Sequence, residues 1–260
     1  MTSSKMILSM PATHLKKIIV AVFIFQLIAV LLTTIKAQTT ESIVPQSLTT
    51  EFRKNPRGID ILHPRLFWKY KSVSNRKNVN QSSFQIIVAS STALLQKDSG
   101  DLWNSGKINS AQSTHITYQG TPLTSGSQYF WKVRSWNQND KVSPWSAPAS
   151  WTMGLLNKKD WTAKWIGSEE GKMDDGYIPA VTDPKQPKPG KPLPAPRYLR
   201  KEFKAGSTVK KATLYVSALG LYEVRLNGKK VGDHILAPEW TSYHNRVQYD
   251  ALDVTGLIEN

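Results

Sequence analysis

The Asn227-Gly228 pair, which lies between segments of alternating hydrophobicity, is the feature that most constrains how this chain can fold. Residues 212–217 (ATLYVS) and 221–226 (LYEVRL) alternate apolar and polar side chains, which is the period of a half-buried strand. Both residues of an Asn-Gly pair tolerate positive φ, as a two-residue type I′ hairpin requires. The sequence therefore predicts a hairpin with residues 229–235 as its return strand. A later alternating run at 246–249 extends the pattern to an antiparallel β-sandwich.

Short strands separated by turn signals also fill the chain from about Val44 to Leu156. The best candidates are residues 84–89 (FQIIVA), 114–118 and 129–136 (YFWKVRSW). This spacing predicts a first all-β sandwich with no helix of useful length. At 260 residues, the chain is long enough for about two domains.

The N-terminal segment has the pattern of a secretory signal peptide. Residues 18–34 are almost entirely apolar, Lys16 and Lys17 precede them, and the small residue Ala37 follows. We expect residues 1–37 to be removed after Ala37, with export to the periplasm or beyond. An uncleaved membrane anchor is the alternative, although the run is short for a span. Residues 38–50, which are polar and rich in threonine, are predicted to be a linker.

Cysteine content and charge exclude several classes of protein. The chain has no cysteine, so disulfides and thiolate chemistry are ruled out. The formal charge is +15, and removing the four lysines of residues 1–37, which hold no acid, leaves +11. The lysines are scattered and form no basic helix, so we favour a soluble basic surface over nucleic-acid binding.

No catalytic, metal or cofactor site can be assigned from the motifs. The acidic pairs Glu169-Glu170 and Asp174-Asp175 are sequence neighbours in a polar loop, which is poor placement for an acid and a base. Adding Asp183 gives no known calcium-loop spacing, and the five histidines lack zinc-ligand spacing.

Glu239, Trp240 and Tyr243 form the one candidate substrate-binding cluster, beside His244. Aromatic faces stack on the apolar faces of sugars, and a neighbouring carboxylate accepts hydrogen bonds from sugar hydroxyls. The competing interpretation, which we weigh more heavily, is that Trp240 is buried in the sandwich or packs against a downstream domain.

The second half of the chain resembles the N-terminal β-sandwich domain of bacterial α-L-rhamnosidases. The residues that carry this resemblance lie in one order over more than fifty positions: 198–203 (YLRKEF), 219–223 (LGLYE), 226–233 (LNGKKVGD), 236–238 (LAP), 240–241 (WT) and 253–255 (DVT). One departure is Glu239, where the family usually has a small residue before the tryptophan.

The first half resembles a fibronectin type III domain, with which this family often begins. Residues 122–133 (PLTSGSQYFWKV) match its pattern of a leucine, a turn and a tyrosine before an alternating strand, and Tyr129 is expected to tie that corner through its hydroxyl. The segment 143–146 (SPWS) fits the same fold. The domain is predicted to span residues 51–156.

A proline-rich segment at 168–196 separates two parts of the predicted second domain, 157–260. Residues 160–167 (DWTAKWIG) resemble the strand that opens this domain in the family, and Tyr198 lies in the next strand. Because the family places both strands in one domain, we favour a long surface loop over an inter-domain linker. A PxxP ligand is a weaker third interpretation.

The resemblance implies an N-terminal portion of a longer glycoside hydrolase. The family cleaves α-L-rhamnosyl bonds with inversion, using two carboxylates on a downstream helical barrel. We count five or six strands after Tyr198, fewer than a jelly roll needs, and expect a truncated, non-catalytic chain whose partner is that missing barrel. The alternatives are a free-standing carbohydrate-binding protein and a fibronectin-type adhesion module, with rhamnose-containing glycans as possible ligands.

Overall fold

The computed structural model describes residues 43–72, 78–167, 197–206 and 208–259. The predicted signal peptide and the proline-rich segment 168–196, with its acidic pairs, lie outside these residues. The described residues form an all-β chain, as expected from the alternating patterns. Two parts are distinguished below: residues 43–157, the first sandwich, and residues 158–259, the second unit.

The first sandwich has two antiparallel sheets. A three-stranded sheet has the order β1-β2-β6, and a five-stranded sheet has the order β4-β3-β7-β8, with β5 pairing with β3. The strands are β1 (Ile43–Thr50), β2 (Arg65–Ser72), β3 (Gln81–Ala89), β4 (Trp103–Asn104), β5 (Ile108–Asn109), β6 (Ile116–Thr117), β7 (Gln128–Asn137) and β8 (Ala149–Thr152).

The core of the first sandwich lies between these sheets and is rich in aromatic residues. Trp68 on β2 faces Phe84 on β3 at a ring-centroid distance of 5.1 Å, and Trp131 and Trp151 are fully buried. These residues belong to one cluster of fifteen buried side chains that both sheets contribute. A helix of one turn, α1 (Thr92–Gln96), covers Ile87 and Ala89 on the outer face of β3 through Leu95.

The predicted linker at 38–50 is wrong from Ile43 onward. Residues Ile43–Thr50 form β1, which pairs with β2 from Ile43↔Ser72 to Thr50↔Leu66. The polar composition that suggested a linker reflects a strand with one exposed face, because Ile43, Leu48 and Thr50 are buried whereas Gln46 and Ser47 are exposed.

The second unit carries four short strands among its described residues. They are β9 (Thr213–Val216), β10 (Arg225–Leu226), β11 (Lys229–Lys230) and β12 (Asp250–Asp253). β10 pairs with β11 and β12 pairs with β9, both antiparallel. Short 3₁₀ turns lie at Lys158–Asp160 and Thr255–Leu257. The strands predicted around Trp165 and Tyr198 are not present, because 161–167 and 197–206 have no strand pairing and both side chains are exposed.

The Asn-Gly hairpin is confirmed, although it is shorter than predicted. Asn227 and Gly228 have φ of 50° and 76°, the left-handed values that the turn demands. Leu226 pairs with Lys229, and Arg225 pairs with Lys230. The return strand predicted to reach Ile235 ends at Lys230, and the run at 246–249 is replaced by a strand that begins at Asp250.

Candidate functional site

Glu239, Trp240 and Tyr243 lie in the loop that connects the hairpin to β12. The loop is fixed at its start, where the Tyr222 amide donates to the Ala237 carbonyl at 2.9 Å. Glu239 has a φ of +80°, and its own amide donates to the Leu236 carbonyl at 3.1 Å. The loop is therefore held against the segment that precedes the hairpin.

Trp240 is 77% exposed, so the interpretation that it is buried within the sandwich is wrong. Its ring lies 5.9 Å from that of Tyr243, with 30° between the planes. The hydroxyl of Tyr243 accepts a hydrogen bond from the Gly220 amide at 2.8 Å, which fixes this second ring. Trp240 and Tyr243 thus form an open aromatic platform with one anchored member, and the exposed Glu239 precedes it in the chain.

Four exposed apolar side chains lie in the two segments that the Tyr222–Ala237 bridge joins. Leu219 and Leu221 lie just before Tyr222 in the chain, and Ile235 and Leu236 lie just before its bridge partner Ala237. All four are more than half exposed. Exposed apolar groups gathered in this way mark a contact surface for a ligand or another domain. This arrangement supports stacking and apolar contact.

A second polar cluster, which the sequence patterns did not indicate, joins the hairpin region to β12. The Tyr222 hydroxyl donates to the Asp250 carboxylate at 2.5 Å, and His234 Nδ1 lies 3.7 Å from the same carboxylate. Burial and the hydrogen bond to Asp250 raise the pKa of Tyr222 well above its ordinary value. The phenol is a hydrogen-bond donor to Asp250, and the contact joins the segment before the hairpin to β12. Tyr222 and Asp250 are 28 positions apart, beyond the reach of local patterns.

The described residues hold neither a metal-ligand cluster nor a membrane-spanning helix. In these residues no group of three or more His, Asp or Glu side chains is placed to hold a metal ion. No helix among them has the length and apolar character needed to cross a bilayer.

Comparison with known proteins identifies both parts of the chain. Residues 45–157 match the family described as "Rha78A-like, N-terminal immunoglobulin domain". Residues 207–260 match the family described as "Alpha-L-rhamnosidase N-terminal domain". The chain therefore carries two domains of the kinds found in the N-terminal region of α-L-rhamnosidases.

Individual relatives agree with this assignment. An α-L-rhamnosidase of Formosa agariphila is 40% identical over 212 residues, which are 80% of this chain and 21% of that protein. An α-L-rhamnosidase of Alteromonas sp. is 38% identical over 78% of this chain and 21% of its own length. The chain thus spans about one fifth of the length of these curated relatives.

Solved structures show the same fold. The α-L-rhamnosidase from Dictyoglumus thermophilum superposes with a TM-score of 0.71 at 34% identity, covering 84% of this chain and 24% of that one. The enzyme from Aspergillus terreus gives a TM-score of 0.60 at 27% identity, over 84% and 22% of the two chains. Because neither part of this chain alone amounts to 84% of it, both parts contribute to these superpositions.

Proposed function

We propose that this chain is the exported, non-catalytic N-terminal portion of an α-L-rhamnosidase-like glycoside hydrolase that acts on rhamnosylated glycans. The observation that carries the proposal is the pair of domain matches, in order, together with relatives that are named α-L-rhamnosidases and are about four times as long as this chain. The role of the two β units is to support a catalytic region that follows them in the longer protein.

Absence of activity in residues 1–260 is the first consequence of this proposal. An inverting glycosidase needs two carboxyl groups roughly 6.5–9.5 Å apart, one of them kept protonated by its surroundings. Glu223 is instead paired with Arg225 at 2.8 Å and Lys230 at 3.1 Å, contacts that lower its pKa. A carboxyl group that is paired with two cations is held ionised and is a poor general acid.

Incubation of the purified chain with a chromogenic α-L-rhamnoside tests this point. We expect no turnover from residues 1–260 and clear turnover from a longer clone of the same locus. Turnover by the short chain that disappears in a Glu239→Gln variant would overturn the proposal and make the second unit catalytic.

Export is proposed from the apolar segment 18–34 behind Lys16 and Lys17. N-terminal sequencing of the mature protein should begin at or near Gln38. A mature protein that retains Met1 would favour an uncleaved anchor instead.

A carbohydrate-binding role is the second candidate, and the exposed Trp240–Tyr243 platform is the observation that favours it. Affinity electrophoresis in gels containing a rhamnose-rich polysaccharide should show retardation that Trp240→Ala abolishes. Trp165→Ala is the matched control, because Trp165 is also exposed and lies in a different segment of the same unit. Equal retardation of all three proteins would leave the platform as a contact surface for another domain.

A further inference from the structure

The face of the first sandwich that meets the second unit is built from glycines. Gly58, Gly126 and Gly154, which we call the docking face, each lie where a side chain would strike a residue of the second unit. A Cβ at Gly58 would lie 3.0 Å from the Cβ of Ala251, and one at Gly126 would lie 3.2 Å from the Tyr215 hydroxyl. A Cβ at Gly154 would overlap the Tyr249 hydroxyl. At these three positions, atoms of the second unit thus lie where a side chain of the first sandwich would be.

Polar contacts also join residues next to the docking face to the second unit. The Tyr249 hydroxyl accepts a hydrogen bond from the Leu155 amide at 2.8 Å. Arg57 forms an ion pair with Asp253 at 2.6 Å, at the end of β12. Each contact joins residues more than 90 positions apart in sequence, so none of them follows from chain connectivity alone.

The segment that links the two parts is also fixed to the first sandwich. The Ser125 hydroxyl accepts from the Leu156 amide at 2.9 Å and donates to the Asp160 carboxylate. Asp160 in turn accepts from the Asn157 amide at 3.1 Å. Trp161, the next residue, packs against Tyr249 at a centroid distance of 5.6 Å. This segment therefore places the Trp161 side chain against Tyr249, the residue that faces Gly154.

The second unit has little core of its own. Its buried apolar side chains, among the described residues, are Val231, Ala237 and Val254. Every residue of β9 is only half-buried. The first sandwich, in contrast, buries fifteen side chains in one cluster. Because small units with few buried apolar groups are marginally stable, the β9–β12 pair needs support from outside itself.

We infer that the first sandwich is an obligatory folding partner of the second unit, and that the docking face sets the orientation between them. The glycines allow β9 and β12 to approach the first sandwich closely, and contact there supplies the stabilisation that the small core of the second unit does not. This inference goes beyond the proposed function, since it holds whether or not the chain binds or cleaves a sugar.

Hydrogen exchange at the β9–β12 amides of the whole chain tests the inference, with Gly126→Ala as the probe. Gly106→Ala is the matched control, because Gly106 has a φ of +62° against +68° for Gly126 but has open space around its Cβ position. We expect Gly126→Ala to accelerate exchange in β9 and β12 by about tenfold or more relative to Gly106→Ala. Equal exchange in the two variants would overturn the inference.

A double-mutant cycle between Gly154→Ala and Tyr249→Phe provides a second measurement that does not depend on Gly126. The Tyr249→Phe ring lacks the oxygen that a Cβ at residue 154 would strike, so the alanine should be less harmful in that background. The two effects on β9–β12 exchange should therefore be non-additive, with partial rescue in the double variant. Strict additivity would show that the two parts do not contact one another at this point and would also overturn the inference.

Discussion

At the scale of single residues, Tyr129 shows how one side chain fixes a corner of the fold. Its hydroxyl accepts from the Thr124 amide at 2.8 Å and lies 3.2 Å from the Thr124 hydroxyl. The ring is 5% exposed and stacks on Trp151 at 5.4 Å. This tie was predictable from the sequence because the two partners are five residues apart and the motif is local.

Replacement of Tyr129 by phenylalanine should destabilise the first sandwich by about 1 kcal/mol, since it removes a hydrogen bond without changing the packed ring. The urea midpoint of the whole chain, followed by tryptophan fluorescence, would measure the loss. Tyr70→Phe is the matched control, because Tyr70 is an exposed residue of β2. Equal midpoints for the two variants would contradict a tie at this corner.

Glu51 carries a pH dependence that no sequence motif indicated. It accepts from the Arg65 amide at 2.6 Å and from the guanidinium at 2.6 Å, and these bonds hold the pKa of Glu51 below its ordinary value. Because the folded-state pKa is lowered, the stabilisation is present above the unfolded-state pKa near 4.5 and is lost as pH falls through the folded value.

We therefore expect Glu51→Gln to destabilise the protein at pH 7 and to differ less from the parent at pH 3. Urea midpoints of both proteins at the two pH values would measure this difference. Asp140→Asn is a suitable control, because the Asp140 side chain is 72% exposed where it pairs with Lys107. A gap between Glu51→Gln and parent that stays constant from pH 7 to pH 3 would refute the linkage.

Trp240 marks the limit of residue-level reasoning. A large aromatic is more often packed than exposed, and that expectation favoured burial. Whether a side chain is covered depends on which other segments reach it, and this is settled by long-range placement rather than by residue type. The three candidate residues remain a prediction, although two of them do form one platform.

At the scale of elements, local signals were predictable and strand lengths were not. The exposure of residues 221–226 alternates as their hydrophobicity does, with Tyr222, Val224 and Leu226 less exposed than their neighbours. Yet only Arg225–Leu226 pairs as a strand. Alternation reports which face is covered, whereas a strand also needs a partner backbone at its edge, and that partner is set by the rest of the fold.

The segment 143–146 shows how an element can complete a sheet without being a regular strand. The Ser143 amide donates to the Ser135 carbonyl of β7 at 2.8 Å, and the Ser135 amide donates back to the Ser143 hydroxyl. The Ser146 amide likewise donates to the Val133 carbonyl at 2.8 Å, and the Val133 amide donates back to the Ser146 hydroxyl. This pairing places Trp145 beside Arg134, whose guanidinium lies 4.6 Å from the Trp145 ring and 5.2 Å from Trp136. Arg134 thus bridges two aromatic rings on the outer surface of the sheet.

Arg134→Met should destabilise the first sandwich by about 1–2 kcal/mol, because two cation–π contacts of about 0.5–1 kcal/mol each are lost while the aliphatic stem is kept. Thermal unfolding of the variant against Arg53→Met, at an exposed arginine, would measure the difference. No difference between the two variants would mean that these rings pack equally well without the cation.

At the scale of the whole molecule, the sequence predicted the all-β class and the order of the two β parts. It did not predict that β1 begins at Ile43, nor that Gly58, Gly126 and Gly154 form one face. Those glycines are 28 to 96 positions apart, so only the folded sandwich brings them together. Turn propensity explains Gly58 and Gly126, which have positive φ, but not Gly154, whose missing side chain makes room for Tyr249.

The unequal cores of the two parts lead to a last prediction, about isolated fragments. Residues 43–157 contain the complete cluster of fifteen buried side chains, so this fragment should be a monomer that unfolds in one cooperative transition. Residues 158–260 would lose the docking face and expose Tyr215, Tyr249 and Ala251 beside the β9–β12 sheet, which is two-stranded among the described residues. We expect this second fragment to aggregate or to bind a hydrophobic dye, because exposed edges and apolar faces promote association.

Size-exclusion chromatography and dye fluorescence of both fragments would measure this, with the whole chain as control. A well-folded, monomeric second fragment would show that the first sandwich is dispensable for its folding.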